Sequence, residues 1–302
     1  EYLLCALERD PAPRELQGVL MFSNYFVKQS SGEILPMLIE SPLESLQRRL
    51  SGPLQHPKEF LFIARQFESL FSLIKDPPSN PTETGKRVIR TVLATATRGS
   101  ELIDEGNSEA RSQIVRLFQG GIGWLGVQVL SFLHTIVYQS CLKADWRELS
   151  VLFPLLSRIL NTMSQDRDAQ EGIQRIVETS LDKLIERVFI ALPIDCDAYR
   201  QDRIDLLGSW FRFLAALVAN HSPLCFTTPQ CLPLLPQVFQ AAKLCLDLSR
   251  PTRKPALTFL SKLRATWLGE RASYANENEV KAGQMLQQYL EQIDPSTRAQ
   301  IV

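Results

Sequence analysis

Apolar residues at helical spacing are the feature that most constrains how this chain can fold. In the stretch PKEFLFIARQFESLFSLIKD, residues Phe60, Ile63 and Phe67 recur at steps of three and four, which places them on one face of a helix. The same spacing recurs in DWRELSVLFPLLSRILNTM, DAQEGIQRIVETSLDKLIERVFIAL and DRIDLLGSWFRFLAALVAN. The sequence contains no clear run of alternating apolar and polar residues and no Asn-Gly or Asp-Gly hairpin turn. It therefore predicts an all-α protein.

The spacing of these helices predicts their arrangement. Helices are expected to begin near residues 57, 81, 145, 168, 200, 231, 252 and 276. Antiparallel pairs would then recur about every 40 to 55 residues, near the period of HEAT-type repeats. Several helices are apolar on more than one face, as helices between stacked neighbours must be. We therefore predict one α-solenoid of HEAT-like antiparallel helix pairs over residues 1–302, within a longer protein because the chain opens on Glu1 rather than Met.

Composition narrows the functional classes. Hydrophobic residues make up 45% and charged residues 22% of the 302 residues, enough to bury a substantial core. Lys and Arg together number 33, as do Asp and Glu, so no overall field attracts nucleic acid or an anionic membrane. Six cysteines without a C-x-x-C pair are expected to be reduced and mostly buried.

The stretch GGIGWLG, residues 120–126, contains the G-x-G-x-x-G spacing of a dinucleotide-binding loop. Asp145 lies about 20 residues further on, where a ribose acceptor would lie. That loop requires a buried strand before the glycines, whereas the preceding SEARSQIVRLFQ has the pattern of a helix. We therefore expect no cofactor, and glycines that turn the chain between helices or let two helices approach closely.

Residues suited to catalysis are sparse. The three histidines are His56 in a loop, His221 after a helix and His134 within an apolar helix, where we expect it to be a hydrogen-bonded core residue. Cys225 and Cys231 near His221 lack the paired spacing and fourth ligand of a zinc site. The sequence therefore predicts no metal site and a protein that is not an enzyme.

The apolar stretch from Gly120 to Tyr138 is a candidate membrane span. A span needs about 20 nearly uninterrupted apolar residues, and this stretch contains Gln128, His134 and four glycines at one end. We therefore expect no membrane insertion.

Two features are candidates for partner binding. A basic cluster in SRPTRKPALTFLSKLRATW could meet an acidic partner, although a solvated turn and helix would contain the same residues; it comprises Arg250, Arg253, Lys254, Lys262 and Arg264. Trp210 in LGSWFRFL would be a binding hot spot if exposed, although aromatic residues at this spacing commonly pack in a core. We take Arg250, Arg253, Lys254 and Trp210 as the candidate site.

The succession of helices over residues 200–265 resembles the late HEAT repeats of karyopherin-β nuclear transport receptors, especially the transportin-SR and importin-thirteen branch. The corresponding elements are Phe211 to Leu217, Pro223 to Phe226, Val238 to Leu246 and Ala256 to Leu263. In that family, a helix ending in P-x-L-F/C-F is followed by one of VFQ-A-x-x-x-L character and one resembling A-x-x-F-L-x-x-L.

The resemblance implies the C-terminal arch of a receptor that carries protein cargo through the nuclear pore. Ran GTPase and nucleoporins would be partners of the full-length parent, and the protein would be a monomer in both cytoplasm and nucleus. No direct nucleic-acid partner is expected. The alternative is another helical-repeat scaffold or adaptor, of the nucleoporin or assembly-chaperone kind; an α-helical enzyme or membrane protein is a third class.

Overall fold

The computed structural model describes most of the chain after residue 82. It covers residues 83–103, 108–192, 197–220, 223–248, 250–269 and 276–301, together with the helical residues Leu61, Ala64, Arg65 and Phe67. This part of the chain is almost entirely helical and contains no strand. The prediction of an all-α protein is confirmed at this level.

Ten α-helices are numbered here along the described residues after position 82. They are α1 (Glu83–Ile103), α2 (Ser108–Leu125), α3 (Leu130–Lys143), α4 (Trp146–Thr162), α5 (Arg167–Ala191), α6 (Arg200–Asn220), α7 (Leu235–Asp247), α8 (Arg250–Trp267), α9 (Glu277–Glu291) and α10 (Pro295–Ala299). Short 3₁₀ turns occupy Gly126–Val129, Asp197–Tyr199, Pro223–Thr227 and Leu232–Leu234.

The chain divides into two compact units, Glu1–Val129 and Leu130–Val302. In the first unit, α1 packs against α2, and Val92 and Phe118 are fully buried. The second unit contains α3 to α10. The prediction of one continuous repeat array over residues 1–302 stays a prediction.

Side-chain caps fix where several helices of the second unit begin. Asp145 caps α4 by accepting hydrogen bonds from the backbone N–H groups of Arg147 and Glu148, both at 2.9 Å. Asp166 caps α5 and Asn276 caps α9 in the same manner. Each cap pairs N–H groups that the first helical turn leaves without a partner.

Several alternate helices of the second unit pack side by side, namely α3 with α5, α4 with α6, α6 with α8 and α7 with α9. Helix α6 packs extensively against both α4 and α8. The Phe153 and Phe213 rings stack in the middle of α4 and α6, and Asn220 Nδ2 donates to Asn161 Oδ1 at 2.9 Å near their ends. Middle residues thus meet middle residues and late residues meet late ones, so α4 and α6 point the same way.

The contacts of α3 with α5 have the same direction. Leu130 at the start of α3 lies against Gly172 near the start of α5. After the end of α3, the Ala144 carbonyl oxygen accepts a hydrogen bond from Arg187 Nε at 2.6 Å. These helices therefore also run parallel. By their order in the chain, the helices of the second unit form two alternating sets, α4, α6 and α8 in one and α3, α5, α7 and α9 in the other.

Helix α6 is enclosed because it lies between α4 and α8. Trp210, Phe211 and Leu214 are fully buried. On the side toward α8, Gly208 faces Thr252, whose Cγ2 would lie 3.4 Å from an added Cβ. An added Cβ at Gly208 would therefore be in ordinary van der Waals contact with Thr252.

Candidate partner-binding site

The cationic residues at the start of α8 form the sequence-derived candidate site. Arg250, Arg253 and Lys254 all lie within its first turns, where no acidic residue occurs. A positive charge at a helix N-terminus is opposed by the helix dipole, by about 0.3–1 kcal/mol per charge. These cations therefore do not stabilise the helix on which they lie.

Two arginines of α8 are hydrogen-bonded to the end of the described chain. Arg253 Nη2 donates to Thr297 Oγ1 at 3.3 Å and to Gln300 Oε1 at 3.4 Å. Arg264 Nη1 donates to the Ile301 carbonyl oxygen at 2.9 Å, and the Ile301 side chain is fully buried. These side chains thus tether residues 294–301 to α8.

The assignment of Arg253 to the candidate site stays a prediction. The residue is half-buried and is hydrogen-bonded within the chain. Lys254 is exposed, as a partner-binding residue must be. Arg250 is the first residue of α8, and its side chain lies outside the described residues.

The tethered segment has its own cap. Asp294 accepts hydrogen bonds from the Thr297 backbone N–H at 2.9 Å and from the Ser296 hydroxyl at 2.6 Å. These bonds, the Ser296 hydroxyl foremost, hold the pKa of Asp294 well below its usual range. Arg298 in turn donates to the carbonyl oxygens of Glu291 and Ile293, which closes the turn between α9 and α10.

Trp210 is not a surface residue, and its assignment to the candidate site is wrong. The side chain is 0% exposed, with its ring 5.6 Å from that of Phe189 in an edge-to-face arrangement and 5.0 Å from that of Phe211. A partner cannot reach this ring. Phe189 belongs to α5, so this helix covers the ring, while Phe213 and Phe211 of α6 face α4 and α8.

The glycine cluster does not have the structure of a dinucleotide-binding loop. The residues before it belong to α2, which continues through Gly123 to Leu125. Gly126 then has φ +52° and opens a 3₁₀ turn. The expected helix before the glycines is confirmed, whereas the expected turn begins only at Gly126. The earlier glycines are helical.

Asp145 has a structural role that accounts for its position. It forms a capping box with Glu148, whose Oε2 accepts the Asp145 backbone N–H at 3.0 Å. Both carboxylates are thus used at the start of α4.

The histidine expected in the core is on the surface. His134 in α3 is exposed, because it follows buried Leu133 by one position and so lies on a different side of the helix. The prediction of a hydrogen-bonded core residue is therefore wrong. His56 and His221 lie outside the described residues.

The described cysteines are free thiols, as predicted. Cys141, Cys231 and Cys245 are buried and Cys225 is half-buried. Burial raises the pKa of Cys141, Cys225 and Cys245 to about 12. The described residues contain no group of three His, Cys, Asp or Glu that could hold a metal ion.

A small apolar pocket lies between α3, α4 and α5 in the second unit. Leu133, Ile159 and Ile173 are among its lining residues, and Phe213 of α6 closes one side. Every side chain lining it is apolar, so it lacks the few polar groups that orient a substrate. Its form is that of an interhelical packing gap.

One helical stretch, Ser108–Lys143, is long and apolar enough to cross a membrane. Length and composition alone are weak evidence, because a buried helix of a soluble protein passes the same test. Gly126, with its positive φ, divides this stretch into α2 and α3. The expectation of no membrane insertion stays a prediction.

No protein-family model matches this chain, and no curated protein matches it.

Proposed function

We propose that the chain is a non-catalytic helical-repeat scaffold that binds other proteins. The observation that carries this proposal is the packing of alternate helices in parallel, α4 with α6 and α3 with α5. In a stack of antiparallel pairs, equivalent helices of successive pairs lie side by side and share a direction. That packing leaves long helical faces open to a partner.

Within this class, we infer the C-terminal arch of a nuclear transport receptor that binds protein cargo. The inference rests on the resemblance of residues 200–265 to karyopherin-β repeats. The elements of that resemblance correspond to α6, the turn Pro223–Thr227, α7 and α8. A scaffold whose repeats each shift slightly can change curvature to grip and release cargo, and it needs no catalytic residue.

The stacked arrangement is tested by small-angle X-ray scattering. A compact protein of this length has a radius of gyration of about 19 Å. A row of stacked helix pairs should give a clearly larger value and an elongated distance distribution. A value of about 19 Å would contradict the solenoid.

Cargo transport is tested with the full-length protein, tagged at its own locus and isolated from cell extract. Bound proteins should be released by GTP-locked Ran and retained when GDP-bound Ran is added at the same concentration. The alternative, a scaffold in a stable assembly, predicts the same bound proteins under both conditions. That second outcome would remove the transport function and keep the scaffold.

A further inference from the structure

The charges of the second unit are divided between its two sets of helices. Helices α4, α6 and α8 contain ten Lys and Arg residues against three Asp and Glu residues. Helices α3, α5, α7 and α9 contain seven against nine. Although the net charge of the whole chain is zero, one set of helices in the second unit therefore has a clear excess of positive charge.

The exposed residues of α6 show which way this set faces. Asp205, Arg212 and Ala219 are exposed and lie seven residues apart, on one line of the helix. The sides of α6 are covered by α4, through Phe213, and by α8, through Phe211. The exposed line therefore lies on the open surface between the two neighbouring helices.

The neighbouring helices present cations on the same surface. On α4 the exposed line includes Arg147 and Arg158, separated by the half-buried Val151 and Pro154. On α8 the corresponding line includes exposed Lys254 and half-buried Lys262. We call the surface formed by these residues and the exposed line of α6 the basic face.

Three cations of the basic face lie within about two helical turns of one another along the three helices. The pairing of Phe153 with Phe213 places Arg147 within about two turns of Arg212, and the contact of Gly208 with Thr252 places Lys254 beside the same turns of α6. Adjacent helix axes lie about 8–10 Å apart. Arg147, Arg212 and Lys254 thus form a row roughly 20 Å long.

Two of these side chains are held in place. Arg147 lies over the Trp146 ring, with its Cζ 4.9 Å from the ring centroid. Arg212 Nε donates to the Gly208 carbonyl oxygen at 3.0 Å. Held cations lose less conformational entropy when they bind a partner.

We propose that the basic face binds an extended acidic segment of a partner protein. A segment in the extended polyproline-II conformation advances about 3.1 Å per residue with three residues per turn, so carboxylates at every third residue would lie on one side and match the spacing of the row. Asp205 is the exposed carboxylate on this surface, and it accepts a hydrogen bond from Gln201 at 2.9 Å. The exposed residues of the face named above include no aromatic ring on which a nucleobase could stack. The inference rests on the proposed scaffold function and names the chemistry of the bound segment.

The test uses the whole chain and a fluorescein-labelled peptide of four Glu-Ser-Ala repeats, with binding followed by fluorescence anisotropy at low salt. The Kd of the variant Arg147→Gln, Arg212→Gln, Lys254→Gln should rise at least about tenfold. The matched control Lys143→Gln, Arg175→Gln, Lys243→Gln removes three exposed cations from the other helices. It should change Kd less than about twofold, and circular dichroism should show both variants folded.

Several results would overturn the proposal. The two triple variants could weaken binding equally, or a Gln-Ser-Ala peptide could bind as tightly as the Glu-Ser-Ala peptide. Tighter binding of a 20-nucleotide single strand than of the acidic peptide would assign the face to nucleic acid. Ran-sensitive cargo binding is measured separately, so failure here leaves the scaffold function standing.

Discussion

The rings of Phe153 and Phe213 stack with their centroids 5.4 Å apart and their planes 20° from parallel. Phe153 lies midway along α4 and Phe213 midway along α6, and both side chains are buried. The pair joins two helices that are separated in the sequence by the whole of α5. The pair therefore shows directly that these two alternate helices pack against each other.

Replacing the Phe213 ring should destabilise the second unit. We expect Phe213→Ala to lower the free energy of unfolding by about 3–5 kcal/mol, because it removes a buried ring and leaves a cavity. Urea denaturation followed by circular dichroism measures the change. The exposed control Thr258→Ala should stay within about 0.5 kcal/mol of the wild type, and an equal loss in both variants would contradict the packing.

Two glycines of the 120–126 cluster should differ in their effect on stability when each is replaced by alanine. Gly126→Ala should cost about 1–2 kcal/mol because φ is positive there. Gly123 is exposed within α2, so Gly123→Ala should be neutral or stabilise by up to about 1 kcal/mol. The midpoint of thermal unfolding of each variant measures these changes in stability. A loss of stability at Gly123 like that at Gly126 would show that its lack of a side chain is needed.

The capping box at α4 predicts that asparagine can replace Asp145 at little cost in stability. Asp145→Ala should cost about 1 kcal/mol, whereas Asp145→Asn should cost far less because an amide oxygen also accepts the N–H groups of the first turn. The measurement is the urea midpoint of each variant at constant m-value. Equal losses for Ala and Asn would mean that Asp145 acts through its charge.

The buried cysteines should be inert toward alkylation. With a pKa of about 12, Cys141 and Cys245 are ionised to only about one part in ten thousand at pH 8. Iodoacetamide at pH 8 should leave both unmodified in the native protein and label both in urea, as peptide mass spectrometry can show. Labelling of either native thiol at the rate of the urea sample would contradict the burial.

The lowered pKa of Asp294 predicts that the helical turn it caps loses stability in acid. Its pKa is lowered in the folded protein, so its stabilising contribution is complete above the unfolded value of about 3.9. That contribution is lost as the pH falls through the lower folded value. The NMR amide shift of Thr297 should report this titration, which Asp294→Asn should abolish while keeping the cap. A midpoint at or above about 4 would contradict the lowered pKa.

Much of the helical order could be predicted from local sequence. Helices expected near 145, 200 and 276 begin at Trp146, Arg200 and Glu277. Apolar spacing and capping residues act within a few positions, so they can be identified without knowing the neighbours. The helix expected near 57 lies largely outside the described residues, of which Leu61 and Phe67 are helical.

The candidate site was less predictable because it depends on distant residues. The pattern around Trp210 fits packing or exposure equally, until Phe189 of α5 is known to lie against its ring. Arg253 belongs to a basic run in sequence, yet its hydrogen-bond partners lie more than 40 positions away. The basic face depends on α4, α6 and α8 being adjacent, and no local pattern contains that information.

The shared direction of alternate helices has a consequence for how this unit tolerates change in length. Adding or removing two consecutive helices leaves the direction of every remaining helix unchanged, so parallel neighbours such as α4 and α6 remain parallel. Adding a single helix would instead make the parallel helices on its two sides antiparallel, so their side-chain contacts would be lost. We therefore expect the unit to tolerate a change of two helices better than a change of one.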